Sequence, residues 1–214
     1  SENMQPDWVW IKRRNSAGGN MTTDVIRGVT KTLITNENSA EQTFSNGLTA
    51  FGSDGFTVGS EDGFNGSSDT FVAWNWKAGG SASSNGDGDI TSSVSANTTA
   101  GFSIVSYTGN GSATQTIGHG LGAVPKVMIF KRRNSTSDWI VYHVSRGATK
   151  YIPLNSTNTG GTYEPYFANT EPTSSVFTVD TAGDINGSSD TFISYLFSEI
   201  KGYSKFSSYV GNGS

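Results

Sequence analysis

The side chains able to do acid–base or ionic chemistry are few. There are two histidines, His119 and His143, both in the second half of the chain. A Ser–His–acid set needs a base beside a nucleophile and an acid that orients the base. No Gly-x-Ser-x-Gly elbow occurs, and His119 lies in Gly118-His119-Gly120-Leu121-Gly122, where a turn role is expected. Paired carboxylates are a second route, since two of them roughly 5–10 Å apart can hydrolyse a glycosidic bond. The duplicated Asp69 and Asp190 are the obvious pair, yet each follows Gly-Ser-Ser. That is the place of a turn residue whose carboxylate accepts from nearby backbone donors. Asn85-x-Asp87-x-Asp89 opens like a calcium loop, but Ile90 and Ala96 stand where Gly and Glu are required. There is no phosphate-binding Gly-Lys-Ser/Thr motif, and no cysteine to form a disulfide or a thiolate metal site. No catalytic residue, cofactor or metal is therefore expected.

Two basic clusters remain as candidate contact residues: Lys12, Arg13 and Arg14, and Lys131, Arg132 and Arg133. Guanidinium groups match carboxylate or phosphate partners, such as an acidic surface glycan or a neighbouring subunit. The plainer role, and the preferred one, is a charged strand end that aids solubility and discourages edge pairing.

These clusters are copies of each other. Lys12-Arg13-Arg14-Asn15-Ser16 recurs as Lys131 to Ser135, and Arg27-Gly28 and Thr30-Lys31 recur at the same displacement of 119. Phe56-Thr57-Val58 recurs as Phe177-Thr178-Val179, and Asn65-Gly66-Ser67-Ser68-Asp69-Thr70-Phe71 as Asn186 to Phe192, now displaced by 121. One folding unit is used twice. A further copy begins near the end. Gly101-Phe102-Ser103, Ser106-Tyr107 and Gly109-Asn110-Gly111-Ser112 are echoed by Gly202-Tyr203-Ser204, Ser208-Tyr209 and Gly211-Asn212-Gly213-Ser214, with one extra residue. The expectation is an internal piece of a longer polypeptide; alternatively, the last strand pairs back onto the first unit.

The elements that position these residues read as short strands. Trp8 and Trp10 alternate with Val9 and Ile11, and Lys126 to Lys131 is apolar on both faces, as a central strand is. Val72, Trp74 and Trp76 share a face, as do Ile193, Tyr195 and Phe197, which implies a repeated aromatic core layer. Phe56 to Val58, Val176 to Val179, Ile104 to Tyr107 and Asp138 to His143 are further strands, and 24–33 is a weak candidate for a helical turn. With 27 Gly, 12% aromatic and only 15% charged residues, the composition fits short strands and tight turns. The predicted fold class is all-β: two tandem β-sandwich, jelly-roll-like modules with Gly/Asn turns. The boundaries are 1–79 for a first repeat lacking its opening strand, 80–100 for a Ser/Gly/Asn-rich linker or edge strand, 101–201 for the second repeat, and 202–214 for the opening strand of a third. A net charge of −4 gives no support for nucleic-acid binding, and no apolar run approaches the roughly 20 residues that span a bilayer.

Pro6 to Lys12, Phe71 to Gly80, Thr99 to Val105 and Gly202 to Phe206 resemble repeat modules of marine bacteriophage virion proteins, where such modules often adjoin laminin-G-like or concanavalin A-like domains. The resemblance covers nearly the whole chain. It implies a non-enzymatic structural component of a tail fibre, spike or surface appendage, located on the virion and so extracellular. The partners it implies are further copies of the chain, in a homo-oligomer or trimer, and other virion proteins, with a host surface glycan as a further partner. The alternative is a carbohydrate-binding module of a polysaccharide-degrading enzyme.

Overall fold

The computed structural model describes residues 3–213. Alternating apolar residues interrupted by Gly and Asn give short strands throughout. In the first repeat these are β1 (Trp8–Arg13), β2 (Asn20–Asp24), β3 (Lys31–Ile34), β4 (Gln42–Thr43), β5 (Leu48–Gly52), β6 (Gly55–Val58), the single-turn helix α1 (Asp62–Asn65) and β7 (Phe71–Trp76). The intervening segment carries β8 (Ser83–Asn85) and β9 (Ser92–Asn97). The second repeat follows with β10 (Phe102–Thr108), β11 (Gln115–Gly118), β12 (Val127–Arg132), β13 (Ile140–His143), β14 (Lys150–Pro153), β15 (Gly161–Thr162), β16 (Val176–Val179), α2 (Gly183–Asn186) and β17 (Thr191–Phe197).

The fold is an all-β sandwich of antiparallel sheets. A five-stranded sheet runs β4-β3-β2-β1-β7, and an eight-stranded sheet runs β15-β14-β13-β12-β17-β10-β9-β8. The first five strands of the larger sheet are the repeat counterparts of the smaller one, in the same order. A hairpin, β5-β6, and a two-stranded antiparallel sheet of sequence-distant strands, β11-β16, complete the β-structure.

Three hydrophobic clusters fill the layers. Val9, Ile11, Met21, Ile34, Leu48 and Phe64 pack one face of the smaller sheet against the β5-β6 hairpin. Met128, Phe130, Phe177, Ile185, Phe192 and Leu196 do the same under β11-β16. The third cluster joins the repeats: Trp8 and Leu33 of the first meet Ile104, Trp139, Ile193 and Tyr195 of the second, flanked by Trp10, Trp76 and Phe197. The aromatic layer expected inside each module is thus, in large part, the seam between the two. Trp8 is its centre, stacked on Trp76 at 4.2 Å and on Tyr195 at 4.1 Å. Trp74, on the same face but near the sheet edge, remains 46% exposed.

Two expectations change, and one stated alternative is selected. Residues 24–33 end β2, turn and enter β3 without a helix, because the buried Asp24 carboxylate accepts the Ile26 and Arg27 N–H groups and closes a turn instead. Residues 80–100, expected as a linker or an edge strand, carry strands at the sheet edge: β9 pairs with β10 along its whole length, and β8 pairs with β9. Residues 205–213 form no strand, and Ile200 and Ser204 make an isolated bridge. Ser1 and Ser214 lie outside the described residues.

Candidate functional site

The duplicated motifs find each other in space. In the second repeat, Arg132 Nη1 donates to Asp190 Oδ2 at 3.1 Å, and Asn134 Oδ1 accepts the Thr191 N–H at 3.1 Å. In the first, Arg13 Nε lies 3.1 Å from Asp69 Oδ2, and Asn15 Oδ1 accepts the Thr70 N–H at 3.2 Å. Lys-Arg-Arg-Asn and Asn-Gly-Ser-Ser-Asp are the two halves of one clamp that fixes the start of β7 and of β17. The role given to Asp69 and Asp190 changes accordingly: each is an arginine partner. The signal was present, since both motifs are duplicated together.

The six candidate cations separate by burial. Lys131 is wholly buried, so it offers no surface contact; its ammonium donates to the carbonyls of Ser137 at 2.8 Å and Asn38 at 3.3 Å. Burial lowers its pKa to about 8, helped by Arg132 and opposed by Asp138 and Asp184. Arg133 forks onto Glu41 of the first repeat, at 3.0 and 3.1 Å. Arg13 also reaches Asp62, and Lys12 is half-buried. Arg14 is the exposed member of the set.

A buried polar network that the sequence did not reveal spans the seam. Arg27 Nε pairs with Asp24 Oδ2 at 2.5 Å, both side chains being inaccessible to solvent. Tyr195 of the second repeat donates to Asp24 Oδ2 at 2.8 Å and accepts from Arg27 Nη2 at 3.2 Å. Glu41 lies 3.3 Å from Arg27 Nη1 and so links this group to Arg133. Burial alone would lower the Arg27 pKa, but Asp24, Tyr195 and Glu41 together raise it; the Tyr195 hydroxyl is held far above its usual range chiefly by burial. The repeat counterparts of Asp24 and Tyr195 are His143 and Trp74, so only one orientation of the two repeats satisfies these charges.

Each histidine has defined hydrogen-bond partners. His119 is buried; its Nδ1 accepts the Leu121 N–H at 3.2 Å, its Nε2 lies 3.2 Å from the Thr173 carbonyl, and burial lowers its pKa. His143 Nδ1 meets the Oγ of Ser145, two residues along, at 2.8 Å, a local turn contact. No group of three or more His, Asp or Glu able to hold a metal ion occurs among the described residues.

The seam opens at one end into a cleft of about 600 Å³, lined by Trp10, Trp76, Phe102, His143, Phe197 and Phe206. Trp74 stands beside it, 5.8 Å from Trp10 ring to ring. Aromatic faces at a solvent-filled cleft can stack on apolar faces of a ligand.

A family model for a domain of unknown function, DUF7483, matches residues 1–214. No curated protein and no solved structure matches the chain.

Proposed function

The chain belongs to the DUF7483 family, and on that premise we propose that it is a non-enzymatic structural module of a bacteriophage virion appendage, such as a tail fibre or spike. The observation that carries this reading is where the distinctive side chains are used. Arginines, aspartates and the aromatic stack are directed at joining one repeat to the other or at fixing a strand end. Such investment suits a load-bearing, repeatable building block, placed on the virion and outside the cell. Self-association and contact with other virion proteins follow from that role. Labelled-antibody electron microscopy of intact particles tests it. Labelling of an appendage is the expected result; labelling confined to infected cells and absent from particles would defeat the proposal.

The aromatic cleft supports a second reading, a carbohydrate-binding module. Here Trp74 and Trp10 would stack on sugar rings of a host surface glycan. A glycan screen with the intact chain, repeated with Trp74→Ala, separates the two. Binding lost in the variant favours this reading, and no binding across polysaccharides favours pure scaffolding.

A further inference from the structure

Of the two histidines, His143 is half-buried and His119 is sealed from solvent. His119 directly follows β11, in a loop that Gly120 turns at φ +69°. The Leu121 N–H donates to Nδ1 at 3.2 Å, so Nδ1 keeps its lone pair and the ring proton sits on Nε2. From Nε2 the proton is donated to the Thr173 carbonyl at 3.2 Å. Both nitrogens are thus committed, in one tautomer, and a second proton finds no acceptor. On Nδ1 it would face the Leu121 N–H, donor against donor, at a position closed to solvent.

The backbone around the ring is a junction. The His119 N–H donates to the Ser175 carbonyl at 3.1 Å. The His119 carbonyl accepts the Ser103 hydroxyl of β10 at 2.7 Å, and the Gly118 carbonyl accepts that of Ser92 of β9 at 2.8 Å. Gly120 lies against β9, where a Cβ would come 3.0 Å from Val94 Cγ1. One short loop therefore holds the end of β11 to three other segments, and Ile117 and Leu121 beside it are core residues.

The contacts from β9 and β10 are uncharged. Asp87, ahead of β9, is the charged group whose field reaches the ring, and it favours the proton. Glu171, two residues before Thr173, is engaged by the Tyr142 hydroxyl and the Ala148 N–H. Burial outweighs Asp87 and the Thr173 hydrogen bond, and holds the ring below its usual pKa.

We propose that His119 is an acid-operated latch: protonation at Nδ1 releases the Gly118–Gly122 loop from the 173–175 turn and frees the end of the β11–β16 sheet, while the eight-stranded sheet stays paired. The sign follows from where the proton binds. An open loop takes it up near the ordinary 6.5, whereas the closed loop takes it up only at lower pH. The closed state is therefore favoured above that value and loses ground as pH falls through it. With the open ring titrating near 6.5, the opening equilibrium rises by up to about 25-fold between pH 7 and pH 5. The latch is independent of whether the module scaffolds or binds a glycan.

Amide hydrogen exchange of the intact chain, read residue by residue by NMR near pH 7 and near pH 5 and corrected for intrinsic exchange, tests it. Protection of the His119 and Leu121 N–H groups should fall about tenfold or more at the lower pH, with β12 and β17 unchanged. In His119→Asn the Oδ1 can still accept the Leu121 N–H but does not titrate, so the pH response should vanish. Should that variant fail to fold, NMR titration of the wild-type ring serves instead, and a midpoint below 6.5 is expected. Unchanged protection at 119 and 121, a loss shared with β12 and β17, an equal loss in His119→Asn or a ring midpoint at or above 6.5 would each overturn the proposal.

Discussion

Lys131→Met offers a quantitative test of the seam between the repeats. The Lys131 ammonium is buried and donates to one carbonyl of its own repeat, Ser137, and to one of the other, Asn38. Burial lowers its pKa from the ordinary 10.5 to about 8. At pH 7 the folded and unfolded chains both hold the proton, and the folded state bears the full cost of burying the charge. As pH rises past about 8 the folded chain releases the proton while the unfolded chain keeps it until about 10.5, so stability climbs through that window. The whole difference is worth about 3 kcal/mol, of which about 2 kcal/mol is recovered between roughly pH 7 and 9.5. The buried tyrosines act oppositely at higher pH: Tyr107, Tyr142, Tyr166 and Tyr195 all hold their protons more tightly when folded. Readings therefore stop near pH 9.5. Urea unfolding of both proteins at several pH values gives the comparison. Wild type should gain about 2 kcal/mol relative to Lys131→Met across that range. Equal pH dependence in the two proteins would refute the assignment of Lys131 as a buried, destabilising cation.

Other perturbations separate residues that sequence comparison alone would treat as equivalent. Arg27→Met leaves Asp24 buried without its cation and should cost about 3–5 kcal/mol by urea unfolding. Tyr195→Phe removes one hydroxyl that both donates and accepts, a loss of about 1–3 kcal/mol by the same assay. Its repeat counterpart, Trp74→Phe, touches no buried polar group and should stay within about 0.5 kcal/mol. Asn186→Ala removes a buried side chain that accepts the Asn110 N–H and donates to the Ser112 carbonyl, and should lower stability by about 1–3 kcal/mol, seen as a lower urea midpoint. The same change at the exposed Asn65 should shift monomer stability by no more than about 0.5 kcal/mol.

Much of the local structure was legible in the chain. Alternation at Trp8-Val9-Trp10-Ile11 and at 71–77 and 191–197 marked strands, because side chains on a strand point to opposite faces in turn. Low charge and Gly/Asn punctuation marked the fold as all-β. Duplication of Lys-Arg-Arg-Asn and Asn-Gly-Ser-Ser-Asp marked a repeated unit, although their pairing as an Arg–Asp clamp needed coordinates. The short strands β4 and β15 carried no periodic signal, since two residues cannot show a period.

What the sequence by itself determined was which residues share a face; what only the tertiary structure decided was what that face meets. Alternation places Trp8 with Trp10 and Tyr195 with Phe197, but it does not say whether the layer is closed by a hairpin of the same repeat or by the other repeat. Packing chose the other repeat for Trp8 and Tyr195 and left Trp74 near the rim. The same holds for charge. Lys12 and Lys131 occupy equivalent places in identical motifs, yet only Lys131 is sealed from water, because the Asn38 loop of the first repeat lies over it. Burial belongs to the assembled surfaces and to no single strand, and it turned a solvated strand end into part of an internal joint.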